Sequence, residues 1–188
     1  MKLILASGSP RRAQILRDAG IAFETLAVQA DESSRNGESA VVRVERLALA
    51  KARAAAAGVT GQALVLGADT EVVLDGEVFG KPTSREDATR MLWRLAGRTH
   101  EVMTGIALLR VPGAEARVEH EITRVTFAPM SDAEIAGYVA TEEHFDKTGG
   151  YAIQGRGGCF VTRVEGCYFN IVGLPLARLY LMLREMGA

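Results

Sequence analysis

Cysteine is scarce in this chain: Cys159 and Cys167 are the only two among 188 residues, and they lack the Cys-x-x-Cys spacing of a metal or redox motif. That disfavours a disulfide scaffold, and both read as buried free thiols. Histidine is equally thin. His100, His120 and His144 are scattered without ligand spacing or partner cysteines, which argues against a zinc site. Long apolar runs are missing too, since the longest uncharged stretch, Ala54 to Ala68, holds Gly58, Gly61 and Gln62 and is shorter than a membrane span. The opening apolar run through Ala6 is broken by Ser-Gly-Ser-Pro before it reaches the length of a signal-peptide core, so a cytoplasmic protein with no membrane segment is expected. An excess of one charge sign is absent as well. With 22 Lys and Arg against 23 Asp and Glu, the net charge of -1 provides no broad basic field, which argues against nucleic acid and membrane surfaces as partners. No repeat or low-complexity tract interrupts the chain.

What is present is enough apolar material for a sizeable core, 48% of residues, in a length that suits one domain over residues 1–188. The chain is organised around Ala63-Leu64-Val65-Leu66-Gly67-Ala68-Asp69-Thr70. This short apolar run, following a Gly-containing turn and ending in a carboxylate, reads as a buried strand that delivers Asp69 where it stops. In open α/β sheets, ligand sites gather beyond the carboxyl ends of strands, so Asp69 is a site candidate. A turn Asp capping the next segment is the alternative reading.

Upstream, a strand over Leu3 to Ala6 runs into Ser7-Gly8-Ser9-Pro10-Arg11-Arg12. Ser9 suits an N-cap and Pro10 the first helical position, with Ile15, Leu16 and Ala19 facing inward as far as Gly20. Serine hydroxyls, guanidinium groups and a helix start form a phosphate cradle, though no Walker loop is present; an ordinary capped helix with two solvated arginines is the alternative. Phe23 to Val28 reads as a second strand, followed by Asp31 and Glu32 in a polar loop, where clustered carboxylates near Asp69 would suit a divalent cation. A long helix is predicted over Ser39 to Ala57, on which Lys51 falls on the same stripe as Val44, Leu47 and Ala48. Either its stem snorkels or its ammonium is aimed at an anion.

Asp75-Gly76 between two strand-like runs signals a two-residue hairpin, and Pro82 keeps Lys81 in an extended segment. Thr83-Ser84-Arg85-Glu86 reads as a capping box opening a helix that ends at Gly97. His100 to Val111 and Arg117 to Phe127 form a longer hairpin, and Ser131-Asp132-Ala133-Glu134 is a second capping box. The Gly-rich stretch Asp146 to Gly155 carries Tyr151 and Gln154, whose amide suits a hydrogen-bonding edge; a turn with satisfied polar groups looks the same. Strands near Cys159 to Val164 and Tyr168 to Val172 precede a last helix begun by Pro175, with Leu176, Leu179, Tyr180 and Leu183 on its core face.

Taken together, Ser7-Gly8-Ser9-Pro10-Arg11-Arg12, Gly67-Ala68-Asp69-Thr70, Gly80-Lys81-Pro82, the run from Asp146 to Gly155, and Val172-Gly173-Leu174-Pro175 closely resemble the Maf family of nucleoside triphosphate pyrophosphatases. Five dispersed motifs in the right order, nearly end to end, are more specific than any one of them. The resemblance implies an α/β fold of the inosine-triphosphatase class: an elongated mixed β-sheet with flanking helices, in two lobes around a central cleft. It also implies hydrolysis of a nucleoside triphosphate to monophosphate and pyrophosphate, a divalent metal (Mg²⁺ or Mn²⁺), and a homodimer. A non-catalytic nucleotide-binding regulator of cell division is the alternative discussed for such proteins. By the resemblance Asp69 is the proton acceptor and Ser7, Arg11, Lys51 and Lys81 hold phosphate, Lys81 acting in catalysis; beside them Glu32, ahead of Asp31, is the candidate to join Asp69 as a metal carboxylate. Arg12, Thr70 and Gln154 match the branch acting on dTTP and UTP rather than 7-methyl-GTP. A Gln amide can accept from the N3–H of uracil or thymine while donating to a flanking carbonyl.

Overall fold

The computed structural model describes residues 1–187. Seven strands form one mixed sheet: β1 (Lys2–Leu5), β2 (Glu24–Thr25), β3 (Ala63–Leu74), β4 (Glu77–Phe79), β5 (Thr99–Val111), β6 (Ala116–Phe127) and β7 (Val161–Glu165). Their order is β2-β1-β3-β5-β6-β7, with β4 pairing β3 off this path. Among the described residues six α-helices accompany them: α1 (Pro10–Asp18), α2 (Ala40–Ala56), α3 (Arg85–Leu95), α4 (Asp132–Val139), α5 (Tyr168–Val172) and α6 (Leu176–Glu185). By contact density the chain divides into two compact units: the first holds Met1–Thr70, Thr104–Glu121 and the segment from Gly173 onward, the second Glu71–Met103 and Ile122–Val172.

In the first unit β1 pairs in parallel with β3, Leu3 opposite Leu64 and Leu5 opposite Leu66, and in parallel with β2 on its other side. The alanines of α2 explain how closely this helix lies on the sheet. Ala48, Ala52 and Ala55 pack with Ile4, Ala6, Val65, Ala107 and Leu109 in one buried cluster, and small side chains leave little between helix and strand. A β-carbon on Gly67 would stand 2.0 Å from the carbonyl oxygen of Ala48, and one on Gly105 would stand 2.3 Å from that of Val44. Only glycine lets the α2 backbone meet β3 and β5 there. Ser39, expected as the first helical residue, instead caps α2, its hydroxyl accepting from the Val42 N–H.

The second unit is packed with larger side chains. Val72, Leu74, Phe79, Met91, Leu92, Leu95, Phe127, Ile135, Tyr138 and Tyr151 share its core. Asp75 and Gly76, with φ of 51° and 80°, make the two-residue turn joining β3 to β4. Ser131 and Glu134 form the full reciprocal capping box of α4.

Several expectations need correction. β3 does not stop at Asp69: it continues unbroken to Leu74, so the carboxylate leaves the middle of a strand rather than its end. The second strand shrinks from Phe23–Val28 to the pair Glu24–Thr25. The cap of α3 is Ser84, which accepts from the Asp87 N–H, one residue later than the box starting at Thr83. Tyr168 to Val172 is a short helix, not a strand. Its buried Asn170 amide donates to the Val102 carbonyl (2.8 Å) and to Thr123 Oγ1 (2.9 Å), tertiary bonds that outweigh the β propensity of its neighbours. Cys159 is exposed rather than buried, and Tyr180 lies on the outer face of α6.

Candidate active site

Gly67 and Asp69 are two residues apart on β3, hence on the same face, and Ala48 and Lys51 are neighbours along α2. The close approach at Gly67 therefore sets Lys51 over Asp69. Its Nζ lies 2.6 Å from Asp69 Oδ1 and 2.7 Å from Glu32 Oε1, bridging the two carboxylates. The Lys51 and Asp69 side chains are each 13% exposed. Asp31, beside Glu32, instead accepts from the Ser33 N–H in its own turn. The loop that carries Glu32 is tied back to α2: Arg43 Nη2 donates to the Glu32 carbonyl at 2.9 Å, and Arg46 grips Glu38 through two nitrogens while also donating to the Ser33 carbonyl.

Thr70, the next residue of β3, faces the opposite way. There Arg12 gathers three segments. Its Nε donates to the Gly173 carbonyl at 2.8 Å, Nη1 to Ser7 Oγ at 3.2 Å and Nη2 to Thr70 Oγ1 at 3.1 Å, while Thr70 also bonds Thr104 at 2.9 Å. Burial lowers the Arg12 guanidinium from its ordinary value; the charge of Asp69 acts against that and the charge of Arg11 adds to it. Ser9 occupies the N-cap position of α1 with no side-chain cap bond; its N–H donates to Ser7 Oγ instead, so Ser7 closes the loop. Arg11 stands half-buried in the first turn of α1. Ser7, Arg11, Arg12, Glu32, Lys51, Asp69 and Thr70 thus all belong to the first unit.

Lys81 and Gln154 belong to the second unit. Lys81 is exposed in the segment after β4, and that segment is joined to the Gly-rich loop where the Gly149 N–H donates to the Gly80 carbonyl at 2.9 Å. Gln154 is exposed in the same loop. Just before it, Tyr151 is buried with its hydroxyl 2.8 Å from His100 Nε2, both rings packing edge-on against Phe127. Burial holds the His100 imidazole down to about 4, so the ring is neutral at pH 7.

The carboxylates of Asp69 and Glu32, converging on one cation, are hard oxygen donors of the kind that suit Mg²⁺ or Mn²⁺. Among the described residues no group of three or more His, Cys, Asp or Glu gathers as a self-sufficient metal cage. The donor set fits a cation that completes its shell with phosphate oxygens and water, as Mg²⁺ commonly does. Sequence reasoning missed the pair Gly67 and Gly105, whose part in setting α2 on the sheet no local pattern reveals. It also missed Tyr138 and Glu143, which reach the loop of Gln154 from outside the Gly-rich motif.

A family model described as Maf-like protein matches residues 2–186. Among curated proteins, the dTTP/UTP pyrophosphatase of Symbiobacterium thermophilum is 51% identical over 186 residues, covering 99% of this chain and 94% of that protein. The dTTP/UTP pyrophosphatase of Escherichia coli is 46% identical over 191 residues, covering 99% and 93%. A slighter likeness is to the solved structure of the Staphylococcus aureus Ham1 protein, with a TM-score of 0.47 and 17% identity over 68% of this chain and 72% of the other. A match that runs from residue 2 to residue 186, joined by relatives similar along almost their whole length, means that the chain belongs to the Maf-like protein family.

Proposed function

We propose that this protein is a nucleoside triphosphate pyrophosphatase that hydrolyses dTTP and UTP to the monophosphate and pyrophosphate, acting as a homodimer in the cytoplasm to clear nucleotides from the pool. The observation that carries the reading is the Lys51 ammonium held between Asp69 and Glu32. A site that binds a triphosphate must manage roughly four negative charges and the further charge that develops on departing pyrophosphate. Lys51, Arg11 and Lys81 supply positive charge, and the backbone N–H groups at the start of α1 add their dipole. Glu32 and Asp69 would hold the divalent cation, whose charge when bound offsets that of the phosphates.

Asp69 is the proton acceptor for the attacking water in this reading. Its carboxylate already takes a hydrogen bond from Lys51, which fixes its orientation. Gln154 reads the N3 edge of uracil or thymine, and Arg12, with its nitrogens engaged by Gly173, Ser7 and Thr70, stiffens the loop of Ser7. The decisive experiment incubates purified protein with dTTP and Mg²⁺ and identifies the products. Monophosphate plus pyrophosphate is expected, and diphosphate plus orthophosphate would refute the assigned bond. Asp69→Asn should fold normally and lose at least about 10²-fold in kcat. EDTA should stop turnover, and added Mg²⁺ or Mn²⁺ should restore it; full activity in chelator would remove the metal from the reading.

A further inference from the structure

The loop that carries Gln154 is short, irregular and exposed at its tip, yet its backbone is gripped from below. The Ala152 N–H donates to Tyr138 Oη at 3.1 Å, the Arg156 N–H to Glu143 Oε2 at 2.9 Å, and the Gly157 N–H to Glu143 Oε1 at 3.1 Å. Tyr138 and Glu143 are joined, the Tyr138 hydroxyl donating to Glu143 Oε1 at 3.0 Å. They form one bracket that closes on residue 152 at one end and on residues 156 and 157 at the other. Ile153, Gln154 and Gly155 span the gap, and of these only Gln154 has a side chain that can both donate and accept.

The bracket is tightly fitted. A β-carbon on Gly155 would fall 2.2 Å from Glu143 Oε2, and one on Gly157 would fall 2.8 Å from the Ala152 carbonyl oxygen and 3.1 Å from Tyr138 Oη. The glycines at 155 and 157 are thus matched to what lies beneath the loop. Tyr138 is anchored by burial in the core of the second unit, its ring packed edge-on against Phe160. Burial pushes the Glu143 carboxyl up, but the N–H groups of Arg156 and Gly157 and the Tyr138 hydroxyl more than offset it and hold the group below the ordinary carboxylate range. Glu143 is therefore ionised at neutral pH and acts purely as an acceptor, as three converging donors require.

We propose that Glu143 and Tyr138 are positioning residues for base selection, presetting the backbone that aims the Gln154 amide at the nucleobase. The inference rests on the reading of Gln154 as the group that recognises uracil and thymine. An amide must meet a donor and an acceptor at once to discriminate, so an error of about 1 Å in its placement forfeits the match. The polar ends of both residues are taken up by each other and by the backbone of the loop.

The test measures kcat/KM for dTTP and for dATP in Glu143→Gln, Tyr138→Phe and Gln154→Glu, with melting temperatures alongside. Glu143→Gln turns one end of the bracket into a donor facing an N–H. It should lower the dTTP-to-dATP ratio at least about tenfold, through KM for dTTP more than through kcat, with dATP hydrolysis within roughly threefold of wild type. Tyr138→Phe keeps the buried ring, loses only the hydroxyl, and should lower the ratio by about threefold to tenfold; it decides the matter if Glu143→Gln fails to fold. A uniform fall on both nucleotides would make the bracket merely structural and overturn the proposal. So would an unchanged ratio in both bracket variants alongside a collapsed ratio in Gln154→Glu. If Gln154→Glu itself leaves the ratio intact, the reading of Gln154 falls and takes the proposal with it.

Discussion

In the first unit α2 presses on β3 and β5 until backbone meets backbone at Gly67 and Gly105, and the candidate carboxylate and ammonium are brought together by that contact. In the second unit aromatic and long aliphatic side chains fill the core, and the candidate loop hangs from hydroxyl, carboxylate and imidazole groups beneath it. The two regions hold their candidate segments by different means. One relies on the absence of side-chain volume and the other on side chains with specific hydrogen-bonding ends. Each should therefore fail differently when disturbed.

The largest effect is expected in the first unit. Gly67→Ala adds one carbon where the Ala48 carbonyl oxygen is 2.0 Å away, and neither partner is a side chain that can turn aside. The cost should be roughly 3 kcal/mol or more, a fall in melting temperature of about 6–12 °C, with activity lost as Lys51 is displaced from Asp69. Calorimetry checks the first part; near wild-type stability would mean that α2 can lift off the sheet cheaply.

The second unit should instead show its weakness on acidification. His100 stays neutral in the fold down to about 4, whereas in the unfolded chain it takes a proton near 6.5. Between those values the unfolded state binds more protons, so stability falls as pH drops from about 6.5 to about 4 and levels off below. The loss over the window from this group is about 3 kcal/mol. Urea unfolding across that range should show the slope in wild type and a clearly shallower one in His100→Gln, the remainder coming from groups such as His144, whose imidazole is likewise lowered by burial. An identical slope in the variant would assign it to other groups.

The smallest effect reverses sign. Gly137 lies inside α4, and a β-carbon there would meet nothing within 4 Å. Gly137→Ala should stabilise the protein by about 0.5–1 kcal/mol, the ordinary gain of alanine over glycine within a helix. Destabilisation would show that the glycine serves a purpose its surroundings do not reveal.

Much of the architecture was legible in the residues because it follows from local rules. The cap at Ser131 and the Asp75-Gly76 hairpin depend on hydrogen bonds and dihedral angles within a few positions of one another. The placement of Lys51 was half legible. Helical spacing put it on the inward stripe of α2, but its partners come from positions 32 and 69, which no periodicity links. What escaped depends on tertiary contact. The turn of helix at Tyr168–Val172 is held by Asn170 reaching Val102 and Thr123, against the preference of its neighbours for extended backbone. The continuity of β3 escaped because a charged residue inside an apolar run reads as an end, when here Lys51 makes the interior position tolerable for Asp69.

That β3 runs straight through Asp69 and Thr70 also bears on how this stretch can vary in length. Adjacent residues on it serve opposite sides, Asp69 meeting Lys51 and Thr70 meeting Arg12. One residue inserted or deleted between Gly67 and Asp69 would turn the acid toward the arginine and the hydroxyl toward the lysine, with every amino acid of the motif still present. Two inserted residues would restore the facing but carry the acid about 7 Å along the strand, beyond the reach of the ammonium. The spacing between glycine and aspartate is thus as much a part of the site as the aspartate itself.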